Sequence, residues 1–101
     1  MQLILRNNLP QLNQLFRKHK VIRAYVFGSI VSDNFNNDSD IDFLIDVDEK
    51  TNPVELGEDL WNLQFELQDL FKREIDLVTE PSLRNPYFIK VMNKTKTPLY
   101  E

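Results

Sequence analysis

Residues 40 to 47, DIDFLIDV, alternate. Ile41, Phe43, Ile45 and Val47 fall on one side of an extended chain, and Asp40, Asp42, Leu44 and Asp46 on the other. This predicts a strand with one face in a core. VIRAYVF (21 to 27) is dense in β-branched and aromatic residues and stops at Gly28, which predicts a second strand. EIDLVT (74 to 79) predicts a third. Elsewhere the period is helical. Leu12, Leu15 and Phe16 repeat within PQLNQLFRKHK, with basic residues late, where they suit the helix dipole. Leu56, Leu60, Leu63, Leu67 and Leu70 form a longer stripe through Phe71. Asn52 is placed to cap that helix, with Pro53 at its first position and Glu55 three residues on from the cap. Asn85-Pro86 opens a last helix in RNPYFIKVMNK. Ser29 to about Asp33 predicts a short helix, and NFNNDS a loop. The order helix, strand, turn, strand, helix, strand, helix describes an α/β domain with a small sheet covered by helices.

The length, 101 residues, suits one domain over 1–101. An apolar share of 42% supports a small core. Net charge is −4, which argues against non-specific nucleic-acid binding, since that needs a basic face. With no cysteine, disulfides and thiolate zinc sites are excluded. The apolar run in MQLILRNNLPQ is too short for a signal peptide, and no stretch reaches the roughly 20 residues of a membrane span. A cytoplasmic location is the default expectation.

The acids then need an explanation. Asp40 and Asp42 point the same way from one strand. Two such charges ~4 Å apart repel by about 4 kcal/mol at an effective dielectric near 20, and by ~1 kcal/mol in water. Either they are well solvated or a cation sits between them. Taken alone, Asp-x-Asp favours solvation. Gly28-Ser29 changes the balance, because it follows a strand and opens a turn where backbone N–H groups and close approach suit phosphate. Asp76 lies inside the third strand. If strands two and three are neighbours, three carboxylates converge near that turn. Oxygen-only ligands beside phosphate favour magnesium.

The order Gly28-Ser29, Asp40-x-Asp42, later Asp76 resembles the nucleotidyltransferase superfamily that includes DNA polymerase β. SDIDFLIDV, REIDLVTEPSLRNPYFIK, a closing tyrosine and the small size resemble its minimal, MNT-type branch, from about Val21 to Tyr100. The resemblance implies a polymerase-β-like nucleotidyltransferase fold, a small mixed sheet flanked by helices. It implies transfer of a nucleoside monophosphate from a nucleoside triphosphate. The usual setting is the antitoxin half of a pair whose toxin is a helical HEPN-type ribonuclease, with AMP from ATP attached to the toxin. Gly28 and Ser29 match the phosphate-binding pair, Asp40 and Asp42 the metal pair for Mg2+, and Asp76 the third acid, which serves the attacking hydroxyl through metal or as base. Two ions can clamp both attacking and leaving oxygens of an in-line displacement. The match departs after Ser29. Many family members continue x-Ala-Arg-Gly, whereas this chain has Ile30-Val31-Ser32-Asp33. A missing cation weakens triphosphate binding. Arg73, Arg84 and Lys90 are the candidates to replace it.

Two rivals remain. Asp38, Asp40, Asp42, Asp46 and Glu49 fit ligand positions of a calcium loop, but Phe43 stands where the sharp turn needs glycine. A catalytically weak binding module that covers its toxin is the other. Trp61 and Phe65 could widen the leucine stripe into a partner surface, although aromatics beside such a stripe are expected in the core. His19, the only histidine, is expected to be a solvated helix-end residue, and Asp46, Asp48 and Glu49 solvated acids at a strand end. Ser39 is expected to cap the loop. Ser29 lacks the histidine pairing of a nucleophile.

Overall fold

A computed structural model describes residues 3–31, 35–36, 38–47, 53–79 and 85–100, without the side chains of Pro53, Phe88 and Val91. The elements are α1 (Leu3–Arg6), α2 (Leu9–Lys18), β1 (Val21–Phe27), a 3-10 turn (Gly28–Val31), β2 (Ile41–Val47), α3 (Pro53–Phe71), β3 (Ile75–Thr79), α4 (Pro86–Thr95) and β4 (Thr97–Tyr100).

The alternation in β2 organises the rest. Ile41, Phe43, Ile45 and Val47 are all buried, together with Val21, Ala24 and Val26 of β1. Leu12 and Phe16 of α2 and Leu63, Leu67 and Phe71 of α3 cover this face of the sheet. Phe43 sits between the two helices, with its ring centroid 6.1 Å from Phe16 and 6.2 Å from Phe71. Each such side chain contributes about 2 kcal/mol by leaving water. Leu44 points to the opposite face with the acids, yet it too is buried, against Phe27 and Met92 of α4. The sheet is therefore apolar on both faces at its middle and acidic on one face at its end.

The strand order is β3-β2-β1-β4. β1 runs antiparallel to β2 and β4, and β2 runs parallel to β3, with α3 as the crossover. This is the expected small mixed sheet flanked by helices. A strand at 41–47 also removes the calcium-loop reading.

Four details depart from expectation. β4 is an additional edge strand, obscured by its four-residue length and by Pro98, which a sheet tolerates at an edge. α1 is a single helical turn, too short to show a period, held by buried Leu5. His19 is 6% exposed rather than solvated. Its Nδ1–H donates to the Asp59 carboxylate, its Nε2 lies 3.4 Å from Glu66 Oε2, and Lys18 Nζ donates to Glu66 at 2.9 Å. The end of α2 is thus fastened to α3. Asp46 is paired across the sheet with Arg23. Asp48, Glu49 and the capping Asn52 lie outside the described residues.

Candidate active site

The site forms at the sheet end where β1 finishes and β2 and β3 begin. Phe27, the last residue of β1, is in register with Asp42, and Asp42 is in register with Asp76 across the parallel pair. Adjacent strands lie about 4.8 Å apart, so the two acids are immediate neighbours. Asp40 stands two residues before Asp42, just ahead of β2.

Gly28 turns the chain out of β1 with φ +77, a conformation that costs an L side chain about 1–2 kcal/mol. Space excludes a side chain there too. A Cβ on Gly28 would lie 2.3 Å from Asp42 Oδ2. The Asp42 carboxylate therefore rests directly on the glycine backbone. Ile30, buried, anchors the turn, and Ser29 is half-buried beside Gly28.

Asp42 is half-buried, whereas Asp40 and Asp76 are exposed. Burial first, then the charges of Asp76 and Asp40, push the Asp42 carboxyl from its ordinary 3.8 up to about 6. Among the described residues, no lysine or arginine forms an ion pair with any of the three. Nor do three acidic or histidine side chains close into a ready metal cage among them. The donor chemistry still fits magnesium. Three carboxylates share one sheet end, and a divalent cation would offset the burial and like charges that raise Asp42.

Arg73, between α3 and β3, has a different task from the triphosphate contact considered for it. Its Nη1 donates to the carbonyls of Asn36 at 3.1 Å and Ser39 at 2.9 Å, and its guanidinium lies 4.8 Å from the Phe35 ring centroid. It ties the loop that delivers Asp40 to the segment that delivers Asp76. Ser39 Oγ accepts from the Asn36 N–H at 3.0 Å, the expected loop-capping role, and the Ile41 N–H donates to the Glu74 carbonyl at 3.1 Å. Arg73, one of three candidates for the triphosphate contact, thus uses its Nη1 donors to position the backbone before Asp40. The available signal was its place, three residues ahead of Asp76. Lys90 is exposed on α4. Ser32, Asp33 and Arg84 lie outside the described residues. A hollow of about 280 Å³ lined by Lys18, His19, Lys20, Val47 and Asp59 lies at the other end of β2, away from the acids.

Residues 8–97 match the profile of the family described as "Nucleotidyltransferase domain". The chain is 37% identical over 90 residues to a Methanocaldococcus jannaschii protein named "Putative protein adenylyltransferase", covering 81% of this chain and 88% of the relative. A solved structure described as a "putative minimal nucleotidyltransferase" is similar at 27% identity and a TM-score of 0.75, covering 94% of this chain and 92% of the other. A chain from the complex of a tri-AMPylated HEPN toxin of Shewanella oneidensis with its MNT antitoxin shares the fold, at 20% identity and a TM-score of 0.66, covering 94% of this chain and 71% of the other.

Proposed function

This chain belongs to the nucleotidyltransferase domain family, and we propose that it transfers AMP from ATP to a hydroxyl of a HEPN-type toxin, acting as that toxin's antitoxin. The observation that carries the site assignment is Asp42, seated against Gly28 and in register with Asp76. The name of the M. jannaschii relative supports AMP as the group transferred. The AMP-bearing HEPN toxin of the S. oneidensis complex supports the acceptor class.

In this reading Gly28 and Ser29 take the triphosphate. The bare Gly28 backbone allows a phosphate oxygen to approach, and Ser29 offers a hydroxyl beside it. Asp40, Asp42 and Asp76 would hold Mg2+, two ions in the full complement. When bound, the ions neutralise charge on the triphosphate and on the three acids. The acceptor oxygen forms a bond to the α-phosphorus as the bond from that phosphorus to the bridging oxygen of the β-phosphate breaks. AMP becomes esterified to the acceptor and pyrophosphate leaves. Asp76, exposed at the site's edge, receives the hydroxyl proton. Arg73 keeps Asp40 within the cluster through the Ser39 carbonyl. With no arginine or lysine from Ile30 to Asp33 after Gly28-Ser29, charge neutralisation would rest on the metal, and ATP affinity is expected to be lower. No helix among the described residues is long and apolar enough to cross a membrane, and we place the protein in the cytoplasm, where ATP is available.

One observation favours a second reading, a binding module that neutralises the toxin by covering it. Trp61 and Phe65 are exposed on α3 rather than in the core. The readings separate by intact mass of the HEPN-type protein after incubation with this chain, ATP and magnesium. Whole AMP increments, absent with the Asp40→Ala/Asp42→Ala variant, are the result expected of the transferase. A stable complex without any increment would replace it with the binding module.

A further inference from the structure

α3 has three faces. Leu56, Leu60, Leu63, Leu67, Leu70 and Phe71 look into the core. Glu55, Glu58, Asp59, Glu66 and Asp69 form an acidic side, and no lysine or arginine occurs from Pro53 to Phe71. Val54, Gly57, Trp61, Gln64 and Gln68 form the third face at alternating spacings of three and four, with Phe65 alongside. That is the spacing of a coiled-coil seam. Val54 is 70% exposed, Trp61 64% and Phe65 54%. The Trp61 and Phe65 rings pack edge to face at 5.5 Å, which sets them as one apolar ridge.

Gly57 carries the argument further. A glycine inside a helix costs about 1 kcal/mol relative to alanine. A Cβ there would meet nothing within 4 Å, so no packing among the described residues requires it. A hollow lined by Gly57, Glu58, Trp61 and Asn62 opens over it, and another lined by Trp61, Gln64, Phe65 and Gln68 continues the groove. A small residue on a seam lets a second helix come close.

We propose that this face receives a helix of the protein partner whose own apolar seam is flanked by basic residues. This rests on the reading above that the chain acts on a protein. The acidic side selects the occupant. Glu58 borders the seam and, among the described residues, has no ion pair. A second copy laid on the same seam would set acid against acid, and anionic lipid would be repelled.

Trp61 is the only tryptophan, so its emission reports on this face alone. The test titrates a purified HEPN-type acceptor protein into this chain. A blue shift of Trp61 emission on complex formation is expected. Trp61→Ala/Phe65→Ala should raise Kd by about 30-fold or more. Glu58→Lys should weaken binding and flatten its salt dependence. Gly57→Leu is the critical variant: it should leave the melting temperature level or higher, since it removes a helix glycine in open space, yet weaken binding. Binding by Gly57→Leu equal to wild type would overturn the proposal. So would failure to form a complex, or a blue shift caused by the chain's own concentration or by anionic vesicles. AMP increments with unmoved Trp61 emission would overturn the docking face and leave the transferase reading standing. A shift without increments would support the face and remove the transferase.

Discussion

Replacing Asp42 by asparagine should make the metal-free protein more stable while abolishing its activity. Asp42 is half-buried beside two like charges, and its carboxyl is raised from 3.8 to about 6. The folded chain thus holds this proton more tightly than the unfolded chain does. The stability tied to that proton is intact below about pH 3.8 and is lost as pH rises through about 6. At about 1.4 kcal/mol for each tenfold change in proton affinity, the full penalty is about 3 kcal/mol. Asp42 is open to solvent on one side, and screening reduces this to about 1–2 kcal/mol. Asparagine keeps the shape and removes the charge. In EDTA at about pH 7.5, urea unfolding of Asp42→Asn should show a gain of about 1–2 kcal/mol, shrinking to about half near pH 5. Magnesium should then raise the stability of the wild type and leave the variant unmoved. A variant no more stable than wild type at neutral pH would refute the claim that burial and the neighbouring acids work against the Asp42 carboxylate.

Gly28→Ala should act on both backbone and carboxylate. It forces a side chain into φ +77 and drives a methyl into Asp42 Oδ2, 2.3 Å away. A stability loss of about 1–2 kcal/mol is expected, with a fall in transfer rate of about 100-fold from misplacing the acid. Thermal unfolding and initial rates read the two effects, and a normal rate would contradict the close seat of Asp42 on Gly28. Arg73→Ala removes two hydrogen bonds from a charged donor, worth about 1.5–3 kcal/mol each where buried and less at this part-exposed site. Amide exchange across residues 35–39 should quicken and magnesium affinity fall, with Arg73→Lys restoring part of both. Unchanged exchange in that loop would show that Arg73 does not hold it.

Much of this was legible along the chain, for identifiable reasons. β2 declared itself because one of its faces is wholly buried, so Ile41, Phe43, Ile45 and Val47 had to alternate with the acids. Gly28 declared itself as one of only two glycines, placed where a strand stops. The pairing of Asp42 with Asp76 followed once β2 and β3 were neighbours, since each acid occupies the second position of its strand. Contacts made by distant segments were hidden. His19 looked like a surface residue because the acids that bury it, Asp59 and Glu66, come some forty residues later on another helix. Arg73 looked like a free cation because its acceptors are backbone carbonyls, which no side-chain pattern marks. Trp61 and Phe65 were expected in the core because their residue type favours burial, but they lie off the Leu56–Leu70 stripe, and that stripe alone faces the sheet.

The central claim is that the cluster of Asp40, Asp42 and Asp76 transfers a nucleotide rather than a phosphate. The most direct measurement supplies the HEPN-type acceptor with ATP labelled at the α-phosphate or, separately, at the γ-phosphate, together with magnesium and this chain. The account predicts that α-label becomes fixed to the acceptor, that γ-label leaves in pyrophosphate, and that Asp40→Ala/Asp42→Ala abolishes both. Label retained from the γ-phosphate, or α-label transferred equally well by the double variant, would contradict it.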